Sequence, residues 1–233
     1  MADYYSYNSG GRGFMSNVPD ATKNLIIVNV IFFIATLINE PFMTSAFALY
    51  YPTSPNFHWW QIVTHMFMHG GFWHILFNMY ALYMFGCVVE RMIGTKKFVI
   101  FYFACGLGAA CLHSGVEWLQ AQSYMNAIAE GSTKAMQSYA MLKAVPTVGA
   151  SGAIYGVLIA YAMLFPQSQL TLIFPPVTLS AKAWVLIFVG IELITGITGT
   201  ADGVAHFAHL GGMLIGFLLI WYWRKKGTLF DRN

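Results

Sequence analysis

Hydrophobic positions along the chain gather into six runs, at about residues 24–38, 72–89, 98–118, 148–165, 183–197 and 204–223. A simple bilayer span needs roughly 20 apolar residues, and several of these runs are shorter. The fourth and fifth are short and interrupted by glycine, which suits helices shielded by their neighbours better than helices facing lipid. The pattern predicts an all-α, polytopic membrane protein with a six-helix embedded region over residues 24–223. A polar segment, 1–23, precedes it and a short basic tail, 224–233, follows.

Three connections stand out. Residues 40–58, between the first two runs, are apolar and aromatic with Glu40 as their one charge, so they are expected to lie in the membrane interface. Residues 119–147 form a long connection, expected to be partly helical around 121–143. Residues 166–181 carry three prolines and read as a loop. No internal repeat is visible, so an inverted-repeat transporter gains no support.

Composition sharpens the class. Only 9% of the residues are charged, against roughly 25% in soluble domains. Hydrophobic residues make up 58%, and the mean hydropathy is +0.59. So few charges cannot cover a soluble surface of this size. A net charge of +3 gives no reason to expect a nucleic-acid partner. The three cysteines lie in apolar runs, where Cys acts as a small hydrophobe. The polar first twenty residues carry no apolar leader core.

Basic residues set the orientation. With the N-terminus inside, Arg12, Lys23, Arg91, Lys96, Lys97, Lys182, Arg224, Lys225, Lys226 and Arg232 fall on the cytoplasmic side and only Lys134 and Lys143 outside. This is a clear positive-inside bias and places both termini in the cytoplasm. The lack of a transit-peptide pattern favours a bacterial plasma membrane.

Polar groups inside apolar runs are expensive and are functional candidates by default. The second run carries His65, His69, His74 and Asn78 at or near its outer end. The fourth opens with Gly149-Ala150-Ser151-Gly152, and the sixth carries His206 and His209 before Gly211, Gly212 and Gly216. All three runs enter from the outer face. His74, Ser151 and His209 then lie roughly 3 to 8 Å below the outer helix ends.

Three distant segments thus bring a hydroxyl, two imidazoles and an amide to one layer, a set suited to acyl transfer. Serine is a weak nucleophile without an adjacent base, and His209 can supply one. His74 and Asn78, at i and i+4, share a helix face and can donate to an oxyanion. The one carboxylate noted near His209 is Asp202, so a Ser-His dyad is expected rather than a triad, with the Tyr155 ring orienting the imidazole. Gly152 with Gly156, and Gly212 with Gly216, form small-xxx-small pairs that allow close helix approach. The competing class is a metal or haem protein using His65/His69 and His206/His209. Against it, no intramembrane Cys, Asp or Glu is expected to complete a site.

At this point the residues resemble those of the rhomboid intramembrane serine proteases. HMFMHGGFWHILFNMYALYMFG (65–86), VERMIG (89–94), GASGAIYG (149–156) and AHLGGMLIG (208–216) look like four motifs of that family, in order, within about residues 25–223. The resemblance implies Ser151 as nucleophile and His209, which alone has Gly-Gly two and three residues later, as base. It implies His74, Asn78 and the Ser151 N–H as the oxyanion site. It also implies a water-filled cavity open to the outer side, a single-span membrane protein as substrate, and no cofactor or metal. An inactive relative that only binds is the alternative within the family. Some members carry a Trp-Arg pair in the first outer loop; residues 40–58 contain no Arg, so its role does not transfer. Besides substrate, the lipid bilayer is the one partner implied, and nothing sets an oligomeric state.

Overall fold

A computed structural model describes residues 17–172, 176–198 and 203–231. Arg12, Asp202 and Arg232 lie outside these residues. The chain enters at Pro19 and forms α1 (Asp20–Ile38), which stops at Asn39. The Asn39 side chain accepts the Phe42 N–H and starts α2 (Glu40–Phe47), so the connection after α1 is not wholly irregular. The remainder of that connection is held by Gln61, the first residue of α3 (Gln61–Thr64), which is fully buried. Its Nε2 donates to the Ser45 and Asn56 carbonyls at 3.0 and 2.9 Å, and its Oε1 accepts the His58 N–H at 3.0 Å.

After a 3-10 turn at His65–Phe67, α4 (Phe72–Ala81), a π turn (Leu82–Gly86) and α5 (Cys87–Ile93) form one unbroken helix, Phe72–Ile93. A tight turn at Gly94 leads to α6 (Thr95–Ala129). This helix overruns the expected span, so residues 119–129 belong to it rather than to a loop. Gly131 breaks the chain before α7 (Thr133–Ala144). The short α8 (Ser151–Leu164) follows. The stretch expected as a plain loop after it contains a hairpin, β1 (Gln169–Thr171) paired antiparallel with β2 (Thr178–Ser180). The chain ends with α9 (Ala181–Thr198) and α10 (Gly203–Lys225).

Among the described residues, five helices are long and apolar enough to cross a membrane. Their outward faces are oily: Ile38 is 81% exposed and Ile197 76%. Contiguous apolar surface on this scale suits lipid, not water. α8 is 14 residues long, roughly 21 Å at 1.5 Å per residue, and is surrounded by other helices. Ala153, Val157 and Ala160 are at most 1% exposed. α10 packs against both α6 and α8, and this trio forms the centre.

One buried carboxylate, Glu90, ties the start of α1 to the start of α6. Glu90 accepts the Ala21 and Thr22 N–H groups at 3.0 and 2.7 Å, and the Thr22 and Thr95 hydroxyls at 2.8 Å each. It therefore satisfies orphan donors at the N-terminus of α1 while tying in the start of α6.

Candidate active site

Ser151 is the first residue of α8, presented by a constrained lead-in. Thr147 exchanges two backbone hydrogen bonds with Leu49, at 2.8 and 2.9 Å, and the Gly149 N–H donates to the His65 carbonyl at 2.9 Å. Gly149 has φ +133°, and a Cβ there would lie 3.1 Å from the His74 ring. Both backbone conformation and space therefore call for glycine. Being first in its helix, Ser151 has no intrahelical partner for its N–H.

His209 Nε2 lies 2.9 Å from Ser151 Oγ. These atoms come from α10 and α8, whose backbones touch: a Cβ on Gly212 would sit 1.8 Å from the Gly152 carbonyl oxygen. Tyr155, one turn along α8, stacks on the His209 imidazole with centroids 4.2 Å apart and planes 14° apart.

The expectation that only Asp202 offers a carboxylate near His209 is corrected here. Glu192 of α9, 4% exposed, places Oε1 3.0 Å from His209 Nδ1 and Oε2 2.5 Å from His206 Nδ1. The statement that no intramembrane carboxylate could complete a metal site is corrected by the same residue. Glu192, His206 and His209 each offer a ligand atom, all within 4.8 Å of one another. The signal was a lone carboxylate in an otherwise apolar run.

Around the serine, His74 and Asn78 line a cavity of about 380 Å³ with Ser151, Tyr155 and Phe188. A long contact, 3.4 Å, from the Gly70 N–H to His74 Nδ1 leaves Nε2 as that ring's donor, on the side facing Gly149. One Asn78 amide hydrogen is used on the His74 carbonyl at 2.9 Å, so one remains. An adjoining apolar cavity of about 540 Å³ shares Phe77, Ala81, Leu158 and Phe188 and extends between α4 and α9.

His65 and His69 precede α4 and are not brought to the serine as ligands. His65 Nδ1 bonds the Gln61 carbonyl at 2.9 Å. His69 is 2% exposed, packs edge-on against His74, and has no hydrogen-bond partner among the described residues. Burial holds both well below the usual imidazole range, at about 4.

The fold and site together define an integral membrane protein with a Ser–His–carboxylate cluster on three helices, its serine and imidazole half-buried and its carboxylate buried. The Rhomboid domain family model matches residues 56–226, well over half of the chain. The chain is 31% identical over 175 residues to Rhomboid protein 1, mitochondrial, of Saccharomyces cerevisiae, covering 71% of this chain and 42% of that protein. It is 30% identical over 163 residues to Rhomboid protease AarA of Providencia stuartii (69% and 54%). With Rhomboid protease GluP of Bacillus subtilis the identity is 27% over 165 residues (68% and 25%). The chain thus spans between a quarter and about half of the length of these relatives. It belongs to the rhomboid family.

Proposed function

We propose that the chain is an intramembrane serine endopeptidase that cleaves single-span membrane proteins near the outer membrane face. The observation that carries this reading is the 2.9 Å contact between Ser151 Oγ and His209 Nε2. Ser151 attacks the scissile carbonyl carbon while its proton passes to His209 Nε2. The tetrahedral oxyanion is stabilised by the Ser151 N–H, His74 Nε2–H and the free Asn78 amide hydrogen. Collapse expels the amine, which takes the proton from His209. Water then attacks the acyl ester, delivers a proton to His209, and Ser151 leaves with that proton. The apolar cavity between α4 and α9 supports a membrane-embedded substrate, because it joins the serine's own cavity along a lipid-facing side.

The bias of basic residues supports six membrane-embedded helices with both termini in the cytoplasm. In a bacterial plasma membrane the site then opens to the outer side. A second reading, metal binding by Glu192, His206 and His209, draws on their convergence. The imidazole–carboxylate separations of 2.5 and 3.0 Å are those of direct hydrogen bonds and favour the protease reading.

The test is a fluorophosphonate probe on the purified protein in detergent, with Ser151→Ala alongside, followed by hydrolysis of a single-span substrate. Labelling and cleavage in the wild type but not in Ser151→Ala are expected. Cleavage retained in Ser151→Ala would refute the assignment.

A further inference from the structure

Glu192 is an ionisable group in a helix otherwise suited to lipid. Its neighbours Ile191, Leu193 and Ile194 are 48%, 43% and 64% exposed, while Glu192 turns inward and is 4% exposed. A carboxylate at such a site persists only when its oxygens are well bonded. Both are: one accepts from His209 Nδ1, the other from His206 Nδ1. We infer that Glu192 is a positioning residue for the reaction. It holds His209 with the proton on Nδ1 and the lone pair of Nε2 facing Ser151, and it offsets the positive charge the ring gains when it takes the serine proton. This inference rests on the protease reading above.

The geometry carries it in three steps. An imidazole has two neutral tautomers, and the wrong one would aim an N–H at Ser151 Oγ and a lone pair at the carboxylate. The 3.0 Å bond to Glu192 selects the productive tautomer. His206, bonded to the other oxygen, keeps the carboxylate from rotating away. Tyr155, stacked on the ring, fixes its plane but cannot choose which nitrogen is protonated. During attack the proton of Ser151 moves to Nε2, the Nδ1 proton stays on the ring, and Glu192 remains an anion throughout. The polar groups facing His209 are Ser151 and Tyr155 from α8, Glu192 from α9, His206 from α10 and His74 from α4. Glu192 is the one anion among these described residues.

The experiment uses the full chain in detergent with a fluorogenic single-span substrate. It compares wild type, Ser151→Ala, Glu192→Gln and Glu192→Asp by kcat, KM, pH profile and thermal melt. Glu192→Gln is expected to lower kcat on the order of 10²–10⁴-fold with KM little changed, because an amide can support the wrong tautomer. The acid limb of kcat/KM should move to lower pH, since the imidazole loses its anion. Glu192→Asp should recover part of the rate. A purely structural role would lower the melt without moving the acid limb, and that result overturns the inference. So does a folded Glu192→Gln with wild-type kcat. A wild type that neither labels with fluorophosphonate nor cleaves removes the protease reading itself. Should the Glu192 variants fail to fold, ¹⁵N imidazole spectra of the wild type decide. An Nδ1-protonated His209 with a low-field proton supports the inference, and an Nε2-protonated ring overturns it.

Discussion

The Cβ position of Gly212 lies 1.8 Å from the carbonyl oxygen of Gly152 and 2.7 Å from its carbonyl carbon. Gly152 follows Ser151 directly, and Gly212 is three residues past His209. The closest backbone contact between α8 and α10 is therefore built beside the Ser151–His209 hydrogen bond. Gly216 repeats the approach one turn on, where a Cβ would meet the Gly156 Cα at 2.9 Å. Helix contact and serine–imidazole distance are one structural feature.

Gly212→Ala should therefore cost at least about 3 kcal/mol, the upper end for overpacking, because the obstacle is backbone that cannot swing aside. Where the protein still folds, α10 must shift outward and fluorophosphonate labelling should vanish. Gly115→Ala is the control. No atom lies within 4 Å of that Cβ position, so stability should be unchanged or rise by up to about 1 kcal/mol from helix propensity. Thermal melts and labelling rates in the same detergent check both.

His209→Ala should abolish turnover, since it removes the base hydrogen-bonded to Ser151 Oγ. His206→Ala should retain measurable turnover, reduced roughly 10-fold through loosening of the carboxylate it anchors, an effect far smaller than loss of the base. Rates on one substrate at one pH compare them. Equal loss in both would mean that His206 touches the chemistry directly.

Ser151 and His209 were legible as candidates because polar groups in apolar runs are costly, and the structure brings them within 2.9 Å of each other. Glu192 was not. It lies in a run whose neighbours are all apolar, and neither spacing nor depth links it to a histidine on the next helix. Only the inward turn of that face of α9 makes the connection. The helix expected around 121–143 is present, divided between the end of α6 and α7; that its first part continues α6 was hidden because Gln120, Gln122 and Ser123 interrupt the apolar run. The hairpin was hidden by the prolines around it. Gln61 gave no signal, since a buried glutamine next to two tryptophans looks like any interfacial residue; its role depends on how the preceding connection folds its backbone back onto the side chain. Glu90 stood in a quoted motif, but its partners at the start of α1 are some seventy residues away.

Glu90→Ala should destabilise the fold by about 3–5 kcal/mol, because it strands several buried donors at once. Glu90→Gln should cost less, since the amide oxygen can still accept at one position. Glu90 bonds only the starts of α1 and α6 and none of the Ser151 cluster, so activity per folded molecule should be unchanged in both variants. Denaturation in mixed micelles reads the first effect, and active-site titration with the fluorophosphonate normalises the second.

Saturating chelator should leave turnover unchanged, because the nucleophilic attacks and proton transfers proposed for Ser151 and His209 use only protein groups, substrate and water. Activity lost to chelator and restored by zinc would move Glu192, His206 and His209 to the metal reading. Metal analysis of the dialysed protein accompanies the rate measurement.

Stability should fall in mild acid because of two buried histidines outside the Ser151–His209 pair. His65 and His69, both buried ahead of α4, are held neutral with pKa values at about 4 against an ordinary 6.5. Between those values the unfolded chain binds protons that the folded chain does not, so the free energy of unfolding rises with pH through this window. In the other direction, stability is lost as pH falls from about 6.5 and levels off below about 4, with a full contribution of about 3 kcal/mol per histidine. His69 has no hydrogen bond among the described residues to lose, so His69→Phe should flatten the curve at little cost near pH 8. His65→Phe sacrifices the bond to the Gln61 carbonyl and should lower stability at every pH while also flattening the acid slope. Melting temperatures of the three proteins from pH 8 to pH 4.5 separate these cases. A His69→Phe curve parallel to the wild type would show that the acid sensitivity resides elsewhere.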